Sequence, residues 1–138
     1  MKLESFVDRN YLTLSGGEKQ RVQFARVLAQ IWETDKTTGT RYLFLDEPLT
    51  NLDINYQQEF LKVAKGLLND KTVLMAVMHD INLAVQYADK IIFLKEGEIA
   101  ASGGPSEILT TDLINEVFGV HTRFIVNPVN GLPVMIYE

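Results

Sequence analysis

Two short apolar runs, Tyr42–Leu45 and Thr72–Met78, each stop at a polar tip: Asp46-Glu47-Pro48 after the first, His79-Asp80 after the second. Near-continuous apolar runs of this length read as strands buried on both faces. Between them Phe60, Val63, Ala64, Leu67 and Leu68 recur at helical spacing. Two buried strands joined through a helix call for a parallel pair, because parallel neighbours need a long crossover. The same alternation continues along the chain. Val22, Ala25, Leu28, Ala29 and Trp32 mark an earlier helix after Ser15-Gly16-Gly17-Glu18, and a polar loop, Glu33–Thr40, follows it. Leu83–Tyr87 is a short helix and Ile91–Leu94 a third strand, which turns at Glu96-Gly97-Glu98 into Ile99–Ser102. Pro105 opens two short helical segments that run to Phe118, and Phe124–Val126 and Val134–Tyr137 are extended pieces around Asn130-Gly131. The fold class is therefore α/β, a largely parallel sheet covered by helices, with ligands expected at the strand ends.

Composition removes several alternatives. At 138 residues, 46% hydrophobic and 22% charged, the chain is globular rather than disordered and fits one domain. Its longest apolar stretches, such as Val73–Met78, are strand-sized, far short of the roughly 18 residues that span a bilayer. Met1–Arg9 mixes charged and apolar residues and lacks the apolar core of a secretory signal. Cysteine is absent, so disulfides and thiolate metal sites are excluded. A net charge of −5 argues against broad nucleic-acid binding, which needs a basic face.

Three motifs carry chemistry. In Leu14-Ser15-Gly16-Gly17-Glu18-Lys19-Gln20-Arg21, Ser15 and Glu18 have the spacing of a helix-capping box. Two glycines exceed what a cap needs; they let backbone approach another group at a helix N-terminus, where free N–H groups and the dipole favour phosphate. On the local sequence both readings stand. Asp46 and Glu47 leave the first strand together, and adjacent strand residues point to opposite sides, so one carboxylate can meet a hydrated Mg²⁺ and the other a water. His79 ends the next strand. A lone histidine is more often structural than catalytic, but this one shares a sheet edge with the two carboxylates.

Together these residues resemble the ABC ATPase family over nearly the whole chain. Leu14–Gln20 is similar to the family signature, Leu43–Glu47 to Walker B with its catalytic glutamate, Thr50-Asn51-Leu52-Asp53 to the D-loop, and His79 to the switch histidine. The resemblance implies a partial P-loop NTPase fold: 1–32 as the end of the helical subdomain and the signature helix, 41–120 as the core from Walker B through the switch histidine, and 121–138 as a tail. It also implies roles. Asp46 would hold Mg²⁺ through water, Glu47 would polarise the attacking water, and His79 would contact the γ-phosphate. Ser15, Gly16, Gly17, Glu18 and Gln20 would meet ATP held by the opposite subunit, and Asp53 would report across that interface. The implied partners are a second ATPase subunit arranged head to tail, permease subunits and, indirectly, a substrate-binding protein, with no nucleic acid. The implied location is the cytoplasmic face of the cell membrane.

A phosphate-cradling loop needs G-x-x-x-x-G-K-[ST], and no lysine in these 138 residues follows a glycine. The resemblance thus identifies the chain as the C-terminal part of a cassette, without Walker A or the Q-loop, and inactive by itself. In this family the P-loop strand lies between the strands corresponding to Thr72–Val77 and Ile91–Leu94, so a gap in the sheet is expected there. Three features resemble the haem, siderophore and cobalamin importer branch: the polar loop Trp32–Arg41, the run Met78–Ala84 with Tyr87-Ala88-Asp89, and the tail Asn127–Pro133. The loop and tail point to haem import; siderophore or cobalamin import is the alternative. A non-hydrolysing interaction module is the competing class.

Overall fold

The computed structural model describes residues 4–32, 39–69 and 71–138. The chain divides into two compact units, Met1–His79 and Asp80–Glu138.

In the first unit, α1 (Gly16–Trp32) precedes β1 (Arg41–Asp46), α2 (Ile54–Gly66) and β2 (Thr72–Val77). The two strands are parallel, with partners running from Arg41 opposite Thr72 to Asp46 opposite Val77. Asp53 caps α2, its carboxylate accepting the Tyr56 N–H at 3.0 Å, which satisfies one of the donors a helix start leaves free. Phe60, Leu61 and Ala64 form the buried stripe of α2. Phe60 packs against Phe24 of α1, with ring centroids 3.7 Å apart. Leu43 is buried, but its strand neighbours Tyr42 and Phe44 are 63% and 69% exposed. Opposite them Val73 and Met75 are exposed too, as is Val77 opposite Asp46. One face of this parallel pair is bare, whereas parallel strands are normally covered on both sides.

In the second unit, α3 (Ile81–Tyr87), β3 (Ile91–Lys95), β4 (Glu98–Gly103), α4 (Pro105–Ile108), α5 (Thr111–Phe118), β5 (Thr122–Val126) and β6 (Pro133–Tyr137) follow in order. Val85, Ile91, Phe93, Ile114 and Met135 make its core, with Ile114 fully enclosed. Asp80 caps α3 through the Leu83 N–H, and Thr110 caps α5 through the Leu113 N–H. Asn82 acts as a polar clamp: its amide donates to the Met135 carbonyl at 3.1 Å and accepts the Met135 N–H at 2.8 Å. The tail hairpin is thereby fixed to α3.

The α/β expectation agrees with this architecture, and β2 and β3 belong to separate two-stranded sheets. Among the described residues only β1 and β2 are parallel, whereas β3–β4 and β5–β6 are antiparallel hairpins. The reason is local for the first hairpin. Glu96 and Gly97 both take positive φ, 53° and 84°, the two-residue turn that folds one strand straight back on the other. In the loop Trp32–Arg41, Trp32 ends α1 and Arg41 begins β1; residues 33–38, which supported the haem reading, lie outside the described residues. Among the described residues no helix is long and apolar enough to cross a membrane.

Candidate functional site

The parallel register builds the site. Asp46 is level with Val77 at the carboxyl ends of β1 and β2, so the residues just beyond, Glu47 and His79, emerge side by side. Glu47 leaves strand geometry at once, with φ of 43°. A residue other than glycine is rarely left-handed, and that conformation costs roughly 1–2 kcal/mol. It is held by the turn that follows: the Thr50 N–H donates to the Glu47 carbonyl at 3.2 Å and the Thr50 hydroxyl to Glu47 Oε2 at 3.2 Å. His79 Nε2 lies 2.8 Å from Glu47 Oε1. The carboxyl of Glu47 is held below its ordinary value by the His79 hydrogen bond first, then by the electrostatic pull of His79 and by the Thr50 hydroxyl. Both side chains are open to water, so the pair directs geometry more than it stabilises the fold. The left-handed turn, rather than strand alternation, separates Glu47 from Asp46.

Beside this tip stands the start of α1. Ser15 and Glu18 close a full capping box: the Ser15 N–H donates to Glu18 Oε2 at 2.7 Å and the Glu18 N–H to Ser15 Oγ at 3.3 Å. Arg9 also donates to Glu18, at 2.8 Å. The Ser15 N–H, followed by Arg9, holds the Glu18 carboxyl below its ordinary range. The capping reading of this motif is therefore realised. The glycines differ from one another. Around Gly16 a Cβ would find open space, whereas a Cβ on Gly17 would sit 3.0 Å from the Asn51 carbonyl oxygen. Gly17 is small because the 50–53 segment runs against it. Gln20, one turn on, donates through Nε2 to the Glu47 carbonyl at 3.3 Å and the Pro48 carbonyl at 2.9 Å.

The structure thus brings Gly17, Gln20, Glu47 and His79 into one connected cluster, with Asp46 at its edge. Asp53 sits at the far end of the same loop as the cap of α2. Sequence reasoning missed Thr50 as a partner of Glu47, although a hydroxyl three residues into a tight turn has the spacing for it. It also missed Arg21, whose guanidinium stacks between the rings of Phe6 and Tyr56, 4.9 Å and 3.9 Å from their centroids.

No family model matches the chain. The hemin import ATP-binding protein HmuV of Hahella chejuensis is 43% identical over 130 residues, 94% of this chain and 50% of that protein. The chain has the fold of part of an ABC-type ATP-binding cassette. It spans about half the length of the curated relatives it matches. Its fold is also that of an inward-facing ABC transporter of metal-chelate type, at TM-score 0.76 and 22% identity, over 99% of this chain and 52% of the other. A dimeric ATP-binding cassette bound to ADP and Pi is 33% identical with TM-score 0.61, over 73% of this chain and 40% of that one. The cassette is accordingly a partial one.

Proposed function

We propose that this chain is the signature-to-switch part of an ATP-hydrolysing subunit that powers haem import, with Glu47 as the base that polarises the attacking water. The observation that carries the reading is the meeting of Glu47 and His79 at the carboxyl tip of a parallel pair, where α/β proteins bind ligands. Glu47 is a proton acceptor when ionised, and His79 and Thr50 fix where its carboxylate points. His79, within reach of the same point, would contact the γ-phosphate.

The residues present also fit Mg²⁺. Asp46 ends β1 exposed, and its carboxylate takes no hydrogen bond or ion pair among the described residues. Mg²⁺ characteristically keeps several waters and adds one or two carboxylates plus substrate phosphates, so one free carboxylate suits it. When bound, the ion would neutralise phosphate charge. Ser15, Gly16, Gly17 and Glu18 would meet the nucleotide of a second, head-to-tail subunit, and Asp53 would lie at that interface. Phosphoryl transfer depends mainly on positioning and charge neutralisation, so parts divided over two chains suffice. Permease subunits and a binding protein complete the proposed importer, at the cytoplasmic face of the membrane.

Haem is favoured over siderophore or cobalamin by the similarity to hemin import ATP-binding proteins and by the tail Asn127–Pro133. The test joins these 138 residues to the phosphate-loop half of a hemin-import relative and reconstitutes the product with its permease. Binding protein loaded with haem should stimulate ATP hydrolysis, since a ligand shifts such an equilibrium only through differential affinity. Stimulation by ferric siderophore or cobalamin but not haem overturns the cargo. Unchanged turnover in Glu47→Gln overturns the base. The 138-residue chain alone should release no phosphate above its Glu47→Gln control, because a base without positioned phosphates achieves little.

A further inference from the structure

Glu47 takes a left-handed conformation, φ 43°, that no glycine relieves. Its carboxylate is held by His79 and Thr50, and its carbonyl by the Thr50 N–H, all from the two strand tips or the same turn. One contact comes from elsewhere. Gln20, 27 residues earlier and in the second turn of α1, places Nε2 3.3 Å from the Glu47 carbonyl and 2.9 Å from the Pro48 carbonyl. Both partners are acceptors, so only the amide's NH₂ end can face them.

We propose that Gln20 is a positioning residue: through the Glu47 and Pro48 carbonyls it locks the backbone of Glu47 to α1, so that the signature helix and the base move as one body.

The rest of the contact supports a rigid connection. Gly17, Gln20 and Phe24 lie on one stripe of α1 at spacings of three and four residues. They face, in turn, the Asn51 carbonyl at 3.0 Å from the Gly17 Cβ position, the Glu47–Pro48 backbone, and the Phe60 ring. The stripe therefore runs along the whole connection from the end of β1 to α2. A displacement of the helix start, where Ser15 and Gly16 are exposed, would reach Glu47 through Gln20 without passing through nucleotide in the same chain. This role rests on reading Glu47 as the base, and it replaces nucleotide contact as the task of Gln20.

The test reads the conformation of Glu47 in the 138-residue chain by nuclear magnetic resonance and needs no ATP. A left-handed residue shows a strong intraresidue contact between its amide and α protons, and characteristic α- and β-carbon shifts. In Gln20→Glu, equal in size but without a donor when ionised, these signatures should disappear. Signals from Phe24 against Phe60 should persist, showing that α1 remains packed. Gln20→Lys, which restores a donor, should recover the Glu47 signatures. If Gln20→Glu unfolds the chain, Gln20→Met carries the same readout without added charge. A wild-type Glu47 conformation in a folded donor-less variant overturns the proposal. Because no nucleotide is involved, that result leaves the ATPase reading standing; an ATPase assay that overturns the base leaves the Gln20 lock on the Glu47 backbone standing and removes only its link to catalysis.

Discussion

His79 Nε2 meets Glu47 Oε1 at 2.8 Å across the tips of two parallel strands, joining residues 32 positions apart in sequence. The contact makes the Glu47 carboxyl more acidic than its ordinary value of 4.5. The unfolded chain therefore binds more protons than the folded one between the two values. Stability from this group is present in full above about 4.5 and is lost as pH falls through the lowered folded value. In His79→Ala the Glu47 titration, followed by carboxyl carbon resonance, should return toward 4.5. Glu18, held by Ser15 and Arg9 instead, should stay where it is. An unmoved Glu47 would show that His79 does not govern it.

The two signature glycines should respond oppositely to a methyl group. Gly16→Ala meets nothing within 4 Å and gains helix propensity, so it should stabilise the chain by up to about 1 kcal/mol. Gly17→Ala gains the same propensity but pushes its Cβ to 3.0 Å from the Asn51 carbonyl, a strain of about 1–3 kcal/mol. Urea unfolding should rank Gly16→Ala above wild type and Gly17→Ala below Gly16→Ala. Equal midpoints for the two variants would mean that the 50–53 segment yields freely.

Phe24 and Phe60 are each 4% exposed and in ring contact. Either alanine variant should cost about 3–5 kcal/mol. The double variant should cost less than the sum, by about 0.5–1.5 kcal/mol, since the ring pair is lost only once. Strict additivity in a denaturant double-mutant cycle would indicate that the rings do not interact.

Asn82→Ala strips two hydrogen bonds from Met135, a core residue of the second unit. Leaving a part-buried backbone pair unsatisfied costs about 1–3 kcal/mol. Amide exchange at Met135 should accelerate accordingly, while amides of β1 and β2 should keep their protection. No change at Met135 would show that water replaces the clamp.

Much of the site was legible before any coordinates, because the information was local. Apolar runs with polar tips specify strand ends, so Asp46, Glu47 and His79 could be assigned to one sheet edge. The Ser15/Glu18 spacing specifies a cap, the extended piece Val134–Tyr137 falls within β6, and the helical segments expected after Pro105 end with α5 at Phe118. What needed tertiary structure were relations between segments far apart in the chain. Whether Gln20 faces nucleotide or the Glu47 carbonyl depends on how α1 lies along the 47–53 loop, and no residue spacing encodes that. The positive φ of Glu47 is equally invisible, since glutamate carries no signal for a left-handed turn and adopts one only where neighbours hold it. The sheet shows the same division. Alternating strands and helices predicted parallel pairing, yet parallel pairing also requires a neighbouring strand, and beside β2 the described residues supply β1 alone. Hydrophobic pattern tells each strand which faces to bury; only the assembled chain decides what is there to cover them.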